Sequence, residues 1–592
     1  MNKKLSQKQK EIFNKKGKFV VNACAGSGKT FTLSKKLAKL IQENTELHKG
    51  IATLSFTNTA WKEIKQNLDK MNVEIKYPHF IGTFDKFINK YIFYQYYYLL
   101  DEFDKRPILV GDLGVPWRGG HYERDPYRFF DVFSFNEENE LIQTKNINLP
   151  FKFKKENKDG STNNYYEKLK KMKYKLYKKG FVTQDDINYF SLKLIEKFDF
   201  ISEIIANKFP IFLIDESQDT NEIKMNIMDV ILNNNSIKEF MFIGDFNQAI
   251  YEWNGAKPEI FKELMRKYET INLDENWRSS KNICKFASKL SKQTINAINE
   301  EIKDYQFVPK INGYKKPRDN ENEFFNNIID EFIQTCESND IYDKIAVLCK
   351  GNALIKTINN QKDNIEDIFL DEKSITYDLI HSKFLFENGK IKESYFKLEN
   401  ILILIKKEGN YVLNQERKEF INENGYFNVR KNCFKLINSL PSTKNATIKQ
   451  WIKDCQKQLT NSESELNKKL LNNIKINEDS NDMLIEKLFD YDEKSDKITI
   501  STIHGIKGET FDATLLILRT KPDQRSYRTI VKSFIEEEKM DEELRNIYVA
   551  ITRPRKILVM AVPEEHEKMW YELFFDDGYR KKGQTSLFEF NT

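Results

Sequence analysis

The sequence predicts an α/β chain built on two parallel sheets, and three observations predict it. Short, fully apolar runs recur between polar turns: FVVNA (19–23), IATLSF (51–56), IFLID (211–215), FMFIGD (240–245), KIAVLC (344–349), ITIST (498–502), TLLIL (514–518) and KILVMAV (556–562). Unbroken apolar runs of strand length belong to parallel sheets covered on both faces. Helical patterns lie between them; after Thr30, residues Leu33, Leu37, Leu40 and Ile41 share one helical face. The runs also fall into clusters separated by two stretches of different character, which divides the strands between two sheets.

A chain of 592 residues is too long for one ordinary domain, and three or four are expected. Hydrophobic residues make up 40% and charged residues 31%, enough apolar material for packed cores. The net charge of +6 permits a local basic groove without demanding a nucleic-acid partner. None of the six cysteines forms a CxxC pair, which argues against a zinc or iron–sulfur cluster. A disulfide framework is not expected in so large a chain. The start, MNKKLSQKQKEIF, has no apolar signal core, and no run reaches membrane-spanning length. These features predict a cytoplasmic protein with no membrane segment.

Two stretches interrupt the strand clusters. Residues 91–180 open with YIFYQYYYLL and close with KLKKMKYKLYKKG. Residues 356–490 read as polar helices, and 472–497 as a linker or loop. Lys168, Lys170, Lys171, Lys173 and Lys175, interleaved with Tyr166 and Tyr174, have two readings. They could grip duplex phosphates, or the helix could be amphipathic, with Leu169, Met172 and Leu176 inward and the lysines solvated.

The residues that carry chemistry begin after the first strand. ACAGSGKT (23–30) joins a strand to an amphipathic helix, the context of a phosphate loop. Glycines let backbone N–H groups close around phosphate oxygens, and the helix N-terminus adds a positive dipole. Lys29 would reach the outer phosphates and the Thr30 hydroxyl would hold Mg²⁺. Ala23 stands where the strict motif has Gly. Acid comes from IFLIDESQD: Asp215 is a metal ligand candidate, and Glu216 is placed to orient and deprotonate an attacking water. Arg278 in LDENWRSS and Arg553 in YVAITRP are candidate cations for transition-state charge.

Together these stretches resemble superfamily 1 DNA helicases of the UvrD/Rep/PcrA type. LSQKQ (5–9), ACAGSGKT, LSFTNTAWKEI (54–64), IGTFDKF (81–87), IDESQDT (214–220), FIGDFNQAIYEWNGA (242–256), ENWRS (275–279), STIHGIKGETF (501–511) and RNIYVAITRP (545–554) follow the family's motif order. The resemblance implies two RecA-like parallel-sheet motor domains with mainly helical accessory insertions, ATP between the motors, and single-stranded DNA across both. Residues 1–90 and 181–275 would form the first motor, 1A, and 276–355 and 491–575 the second, 2A. The insertions would be 91–180 (1B) and 356–490 (2B), with 576–592 as a tail.

Carried over by position, the resemblance implies that Gln9 reads adenine and Trp277 stacks on it. Ala25, Gly26, Ser27, Gly28, Lys29, Thr30 and Phe31 would cradle the nucleotide. Arg278 and Arg553 would meet the γ-phosphate, Gln248 would sense it, and Glu509 would take the sugar contact. Phe56 and Trp253 would stack on bases. Thr57, Asn58, Thr83, Thr502 and His504 would lie along the DNA backbone, with Tyr251 in the same set. A stacking platform grips any sequence, as a walking motor requires; the competing reading for Trp253 is a buried indole, and for Phe56 a strand-end core ring.

The chain departs from the family at Trp277 (often Tyr), Phe31 (often Arg), Asp85 (His) and KGETF for KGLEF, which moves the acid from the Thr510 slot to Glu509. The implied activity is an ATP-dependent, 3′→5′ translocase or helicase acting on single-stranded DNA and duplex junctions. The alternative is a Gabija-like anti-phage ATPase subunit that senses DNA ends and signals to a nuclease partner; no nuclease signature is visible in the chain. A non-motor binding module is disfavoured by Lys29, Asp215, Glu216, Arg278 and Arg553. In the tail, Gln584, Leu587 and Phe588 fit a QxxLF pattern resembling sliding-clamp peptides; the competing reading is a strand folded back on the motor.

Overall fold

Each of the eight apolar runs forms a strand, to within a few residues at its ends, in a computed structural model that describes residues 5–109, 132–144, 155, 164–252, 255–315, 320–358, 375–407, 414–460, 465–474, 484–486, 498–519, 526–537 and 540–575. The first sheet contains β1 (Lys18–Ala23), β2 (Ile51–Ser55), β3 (Phe80–Thr83), β4 (Ile211–Asp215), β5 (Glu239–Gly244) and β6 (Glu269–Leu273), in the order β6-β1-β5-β4-β2-β3. The second contains β7 (Lys310–Tyr314), β8 (Ile345–Cys349), β9 (Ile498–Thr502), β10 (Phe511–Ile517) and β11 (Pro554–Pro563), in the order β7-β11-β10-β8-β9. Every pairing in both sheets is parallel. This is the α/β architecture of two RecA-like lobes.

Three strands lie outside the eight runs: β3 (FIGT), β6 (ETINL) and β7 (KINGY). All three lie at sheet edges. An edge strand is covered on one side only, so polar residues are tolerated there and the run is broken.

Register sets the rim where chemistry can sit. Ser55 pairs with Asp215 and with Thr83, while Asn22 pairs with Gly244 and Asn272. The C-terminal ends of β1 to β6 therefore share one edge of the sheet, where parallel α/β folds bind ligands. Beneath it, Phe19, Val21, Leu33, Leu37, Leu213, Met241 and Ile243 form the first core, with Leu40 and Ile41 packed against it. The second core holds Leu348, Leu516, Tyr548, Leu558 and Trp570, and it also takes in Cys24, Ala25 and Ile250 from the first lobe. Apolar packing thus runs from the second sheet up to the phosphate loop.

The helix Asn164–Lys178 at the end of the first insertion and the helix Gln184–Lys197 just after it close on a buried carboxylate. Asp186 accepts hydrogen bonds from Ser134 Oγ (2.9 Å), Tyr177 OH (2.7 Å), the Thr183 N–H (2.9 Å) and Lys173 Nζ (2.8 Å). This corrects the phosphate-gripping reading for Lys173, which is fully buried. Tyr166, Leu169, Leu176 and Tyr177 are buried beside it, while Lys168, Lys171 and Lys175 are exposed, as an amphipathic helix requires.

Lys356–Asp496 belongs to a separate compact unit. Its described part is helical: Ile375–Glu387, Ile391–Lys407, Asn414–Asn424, Tyr426–Asn438, Ile448–Thr460 and Glu465–Asn473. Leu379, Leu398, Ile401, Val429, Leu436 and Trp451 lie in its own core. Trp253, Gln584, Leu587 and Phe588 lie outside the described residues. Among the described residues no helix is long and apolar enough to cross a membrane.

Candidate nucleotide site

The phosphate loop is held in shape from two sides. Gly26 and Gly28 have φ of +71° and +75°, the left-handed region that suits glycine. A Cβ on Gly26 would lie 2.8 Å from Arg278 Cβ, and one on Gly28 would lie 3.0 Å from Gln9 Nε2. Asn276 Nδ2 donates to the Ala25 carbonyl (2.6 Å), and the Trp277 N–H donates to the Gly26 carbonyl (2.9 Å). On the other side Gln9 Nε2 donates to the Ser27 carbonyl (3.0 Å), while its Oε1 accepts from the Ser6 N–H (3.1 Å) in a capping box. Trp277 is exposed, with its ring 3.9 Å from where a Cβ on Gly28 would lie.

The acids enter from the end of β4. Glu216 has φ +53°, a strained position for a side-chain-bearing residue, at the start of the Ser217–Asp219 turn. Its Oε2 lies 3.4 Å from Lys29 Nζ and accepts from Gln218 Nε2. Asp215 Oδ1 accepts the Glu216 N–H (2.9 Å); its Oδ2 is buried with no partner among the described residues. Burial, and then the neighbouring Glu216 carboxylate, push the Asp215 carboxyl up to about 7. Burial pushes Glu216 the same way but is outweighed by Lys29, Lys507 and the Gln218 hydrogen bond, which hold it well down. Burial disfavours the Lys29 ammonium, yet Glu216, Asp245, Asp215 and Asp219 together raise it.

The cations arrive from the second lobe. Arg278 Nη1 donates to the Thr552 carbonyl (3.0 Å). Arg553, at the end of the helix Glu542–Ile551, donates from Nε to the Val549 carbonyl (2.9 Å) and from Nη2 to Gln248 Oε1 (3.3 Å). Gln248 Nε2 in turn donates to Asp245 Oδ2 (2.6 Å). Burial and then the adjacent Arg278 push Arg553 down to about 9, which leaves it charged at neutral pH.

One cavity of about 250 Å³ gathers these groups. Gly26, Ser27, Gly28, Lys29, Thr30, Phe31, Glu216 and Gln248 line it from the first lobe, and Arg278 and Arg553 from the second. Thr57, Tyr251 and His504, expected along DNA, line the same cavity. Thr57 Oγ1 accepts from the Ala60 N–H (3.2 Å), and His504 Nε2 donates to the Ile250 carbonyl (3.0 Å). Glu509 is exposed and outside the lining, so the structure does not bring it to the expected sugar contact; it follows the turn that ends at Gly508 (φ +98°). Phe56 stacks on Phe84 with ring centroids 4.5 Å apart. Thr83 Oγ1 caps the next helix by accepting the Lys86 N–H (3.3 Å), and Thr502 Oγ1 accepts the Gly505 N–H (3.1 Å). The helix beginning at Asn58 is described, its Asn58 side chain is not.

Sequence reasoning missed Lys507. Its Nζ lies 2.6 Å from Asp219 Oδ2, donates to the Gln248 carbonyl (3.0 Å), and sits 4.5 Å over the Tyr251 ring. Arg545 was missed too: Nε donates to the Ala249 carbonyl (2.8 Å), and the guanidinium pairs with Glu252. A cation in the loop between two strands, HGIKG, and the last acid of DESQD were the available signals.

Two parallel sheets of the RecA type that share one cavity of about 250 Å³, lined by a glycine loop, Glu63, Glu216, Arg278 and Arg553, define a tandem RecA-like α/β protein. The chain belongs to the UvrD/Rep/PcrA-like superfamily 1 helicases. The UvrD/REP helicase N-terminal domain matches residues 5–269, and the UvrD-like helicase C-terminal domain matches residues 440–565. Among curated relatives, an ATP-dependent DNA helicase Rep from Buchnera aphidicola is 28% identical over 411 residues, which cover 66% of this chain and 58% of the relative. An ATP-dependent DNA helicase PcrA from Staphylococcus epidermidis is 24% identical over 421 residues, covering 66% and 53%. The matches therefore span little more than half the length of those relatives.

Proposed function

We propose that the chain hydrolyses ATP in this cavity and uses the cycle to move 3′→5′ along single-stranded DNA. The observation that carries the reading is the convergence of Lys29 and Glu216 from one lobe with Arg278 and Arg553 from the other. Cations that meet transferring phosphate from opposite sides stabilise the charge that develops on it. They also tie hydrolysis to lobe closure, because Arg278 and Arg553 can reach the phosphate only while the lobes are together.

In this reading Lys29 leaves Glu216 for the outer phosphates when nucleotide binds. The carboxylate then loses its main counter-ion, its basicity rises, and it can orient and accept a proton from the attacking water. The unpartnered, buried Asp215 Oδ2 fits a hard divalent cation, and Thr30 with Asp215 would hold Mg²⁺. Bound there, Mg²⁺ would neutralise phosphate charge. Gln248, bonded to Arg553, would carry the state of the cavity to the loop that ends at Tyr251. Phe56 and Thr83 would contact the strand. The comparisons support neither a clamp nor a nuclease partner.

The test is ATPase activity measured beside displacement of a strand from 3′-tailed and 5′-tailed duplexes. Lys29→Ala should abolish hydrolysis while strand binding stays within a few-fold. Near-normal turnover in that variant, or equal action on 5′ tails, would overturn the site or the direction respectively.

A further inference from the structure

From Gly425 to Lys453 the chain carries no Asp or Glu, although acids number 89 in its 592 residues. The same stretch holds Arg430, Lys431, Lys435, Lys444, Lys449 and Lys453. Its first helix, Tyr426–Asn438, buries Val429, Cys433, Leu436 and Ile437 and so has a fixed outer face. On that face Phe427 is 76% exposed and Phe434 is 54% exposed. Seven residues separate them, about 10 Å along the helix, and Lys431 lies between them on the same side. Lys431 and Lys435 are exposed, and no ion pair holds either among the described residues.

The neighbouring surface repeats the pattern. Arg417 lies 4.3 Å over the Phe396 ring, and Arg430 lies 5.1 Å over Tyr426. Both guanidiniums are anchored on the buried carboxylate of Glu399. Two cations on one anion leave net positive charge beside half-exposed rings.

We propose that this face of the helical unit is a second docking surface for single-stranded nucleic acid, separate from the nucleotide cavity. The charge selects the occupant: an acid-free helix attracts a polyanion and presents nothing to repel it. The rings select its form, because only unpaired bases offer open faces for phenylalanine to stack on. The inference extends the motor reading to a further contact with the same class of substrate, but the face binds a strand with or without hydrolysis.

The experiment uses the full chain with Phe427→Ala/Phe434→Ala and, separately, Lys431→Gln/Lys435→Gln. Binding of a long oligothymidine is measured across a salt series, beside ATPase stimulated by a short oligothymidine that fills only the motor. The ring variant should bind the long strand roughly tenfold more weakly, the loss of about one stacked base. The lysine variant should lower the salt slope by about 1.4, two phosphates' worth on a single strand. Short-strand stimulation should stay at the parent level in both; if the parent shows none, the motor reading fails while the long-strand measurement still decides this one. Unchanged long-strand affinity and slope would overturn the proposal and leave the face to a protein partner. An equal loss on blunt duplex would overturn the single-strand assignment.

Discussion

Two buried lysine–aspartate pairs lie in the same unit of the molecule, and they are built to opposite ends. Lys173 and Asp186 meet at 2.8 Å with both side chains almost wholly out of solvent, and Lys507 and Asp219 meet at 2.6 Å nearly as deep. Asp186 is saturated by four donors, three from the first insertion and the Thr183 N–H just after it. Asp219 has Lys507 across the lobe boundary, while its Oδ1 has no partner among the described residues. A fully satisfied buried pair specifies a packing arrangement; an under-satisfied one that bridges two bodies can be exchanged for another arrangement. Equal distance and burial therefore do not imply equal purpose.

The largest effect should come from breaking the saturated pair. Asp186→Ala leaves the Lys173 ammonium buried without its counter-ion and strands three further donors, a loss of about 3–5 kcal/mol. Urea or thermal unfolding would measure it, and a loss below about 1 kcal/mol would remove the contrast. Second, Lys507→Met should cost much less stability but lower strand-stimulated ATP hydrolysis by about 10²-fold, the scale of losing one preorganised cation at a phosphate. If Lys507→Met instead unfolds the chain while hydrolysis per folded molecule is unchanged, the bridging pair is structural as well.

The pH response should be smaller. Burial pushes Asp219 up to about 6, with Lys507 opposing and Glu216 adding to the rise. The folded state then holds a proton that the unfolded chain has released, so stability falls as pH rises from about 4 to about 6, by at most about 1.4 kcal/mol per pH unit. Asp219→Asn should flatten that part of the stability profile; an unchanged profile would show that Asp219 does not carry it. The smallest effect belongs to Lys171→Gln, two residues before Lys173 but exposed, which should change stability by no more than about 0.5 kcal/mol.

The same contrast explains what could be read in advance. Apolar runs identified the central strands of both sheets, because a strand buried on two faces has little room for polar residues, and at the edges they found only β9 (ITIST). They missed β3, β6 and β7 because edge strands do not obey that constraint. The loop residues Gly26 to Thr30, Glu216, Arg278 and Arg553 could be named because each sits in a motif with fixed spacing from a strand end. Lys173 was open to misreading because a helix rich in lysine gives no sign that one of them faces a carboxylate on the next helix. Lys507 was invisible for the mirror reason: its partner lies far away in sequence, and only the apposition of the lobes brings Asp219 to it. The exposed Phe427 and Phe434 follow the periodicity of a helix but not its hydrophobic face, so they became informative only when the buried side was known.

The close approach of Gly26 to Arg278 has a further consequence. The seam between the halves passes through the loop backbone itself, where Asn276 and the Trp277 amide grip the carbonyls of Ala25 and Gly26. If the loop holds nucleotide as proposed, loosening it for exchange would also disturb these contacts, because its peptide groups are shared by both halves. Under the proposed function, refuelling and re-gripping the track would be one movement, so that the emptying of the tank would also be the tick.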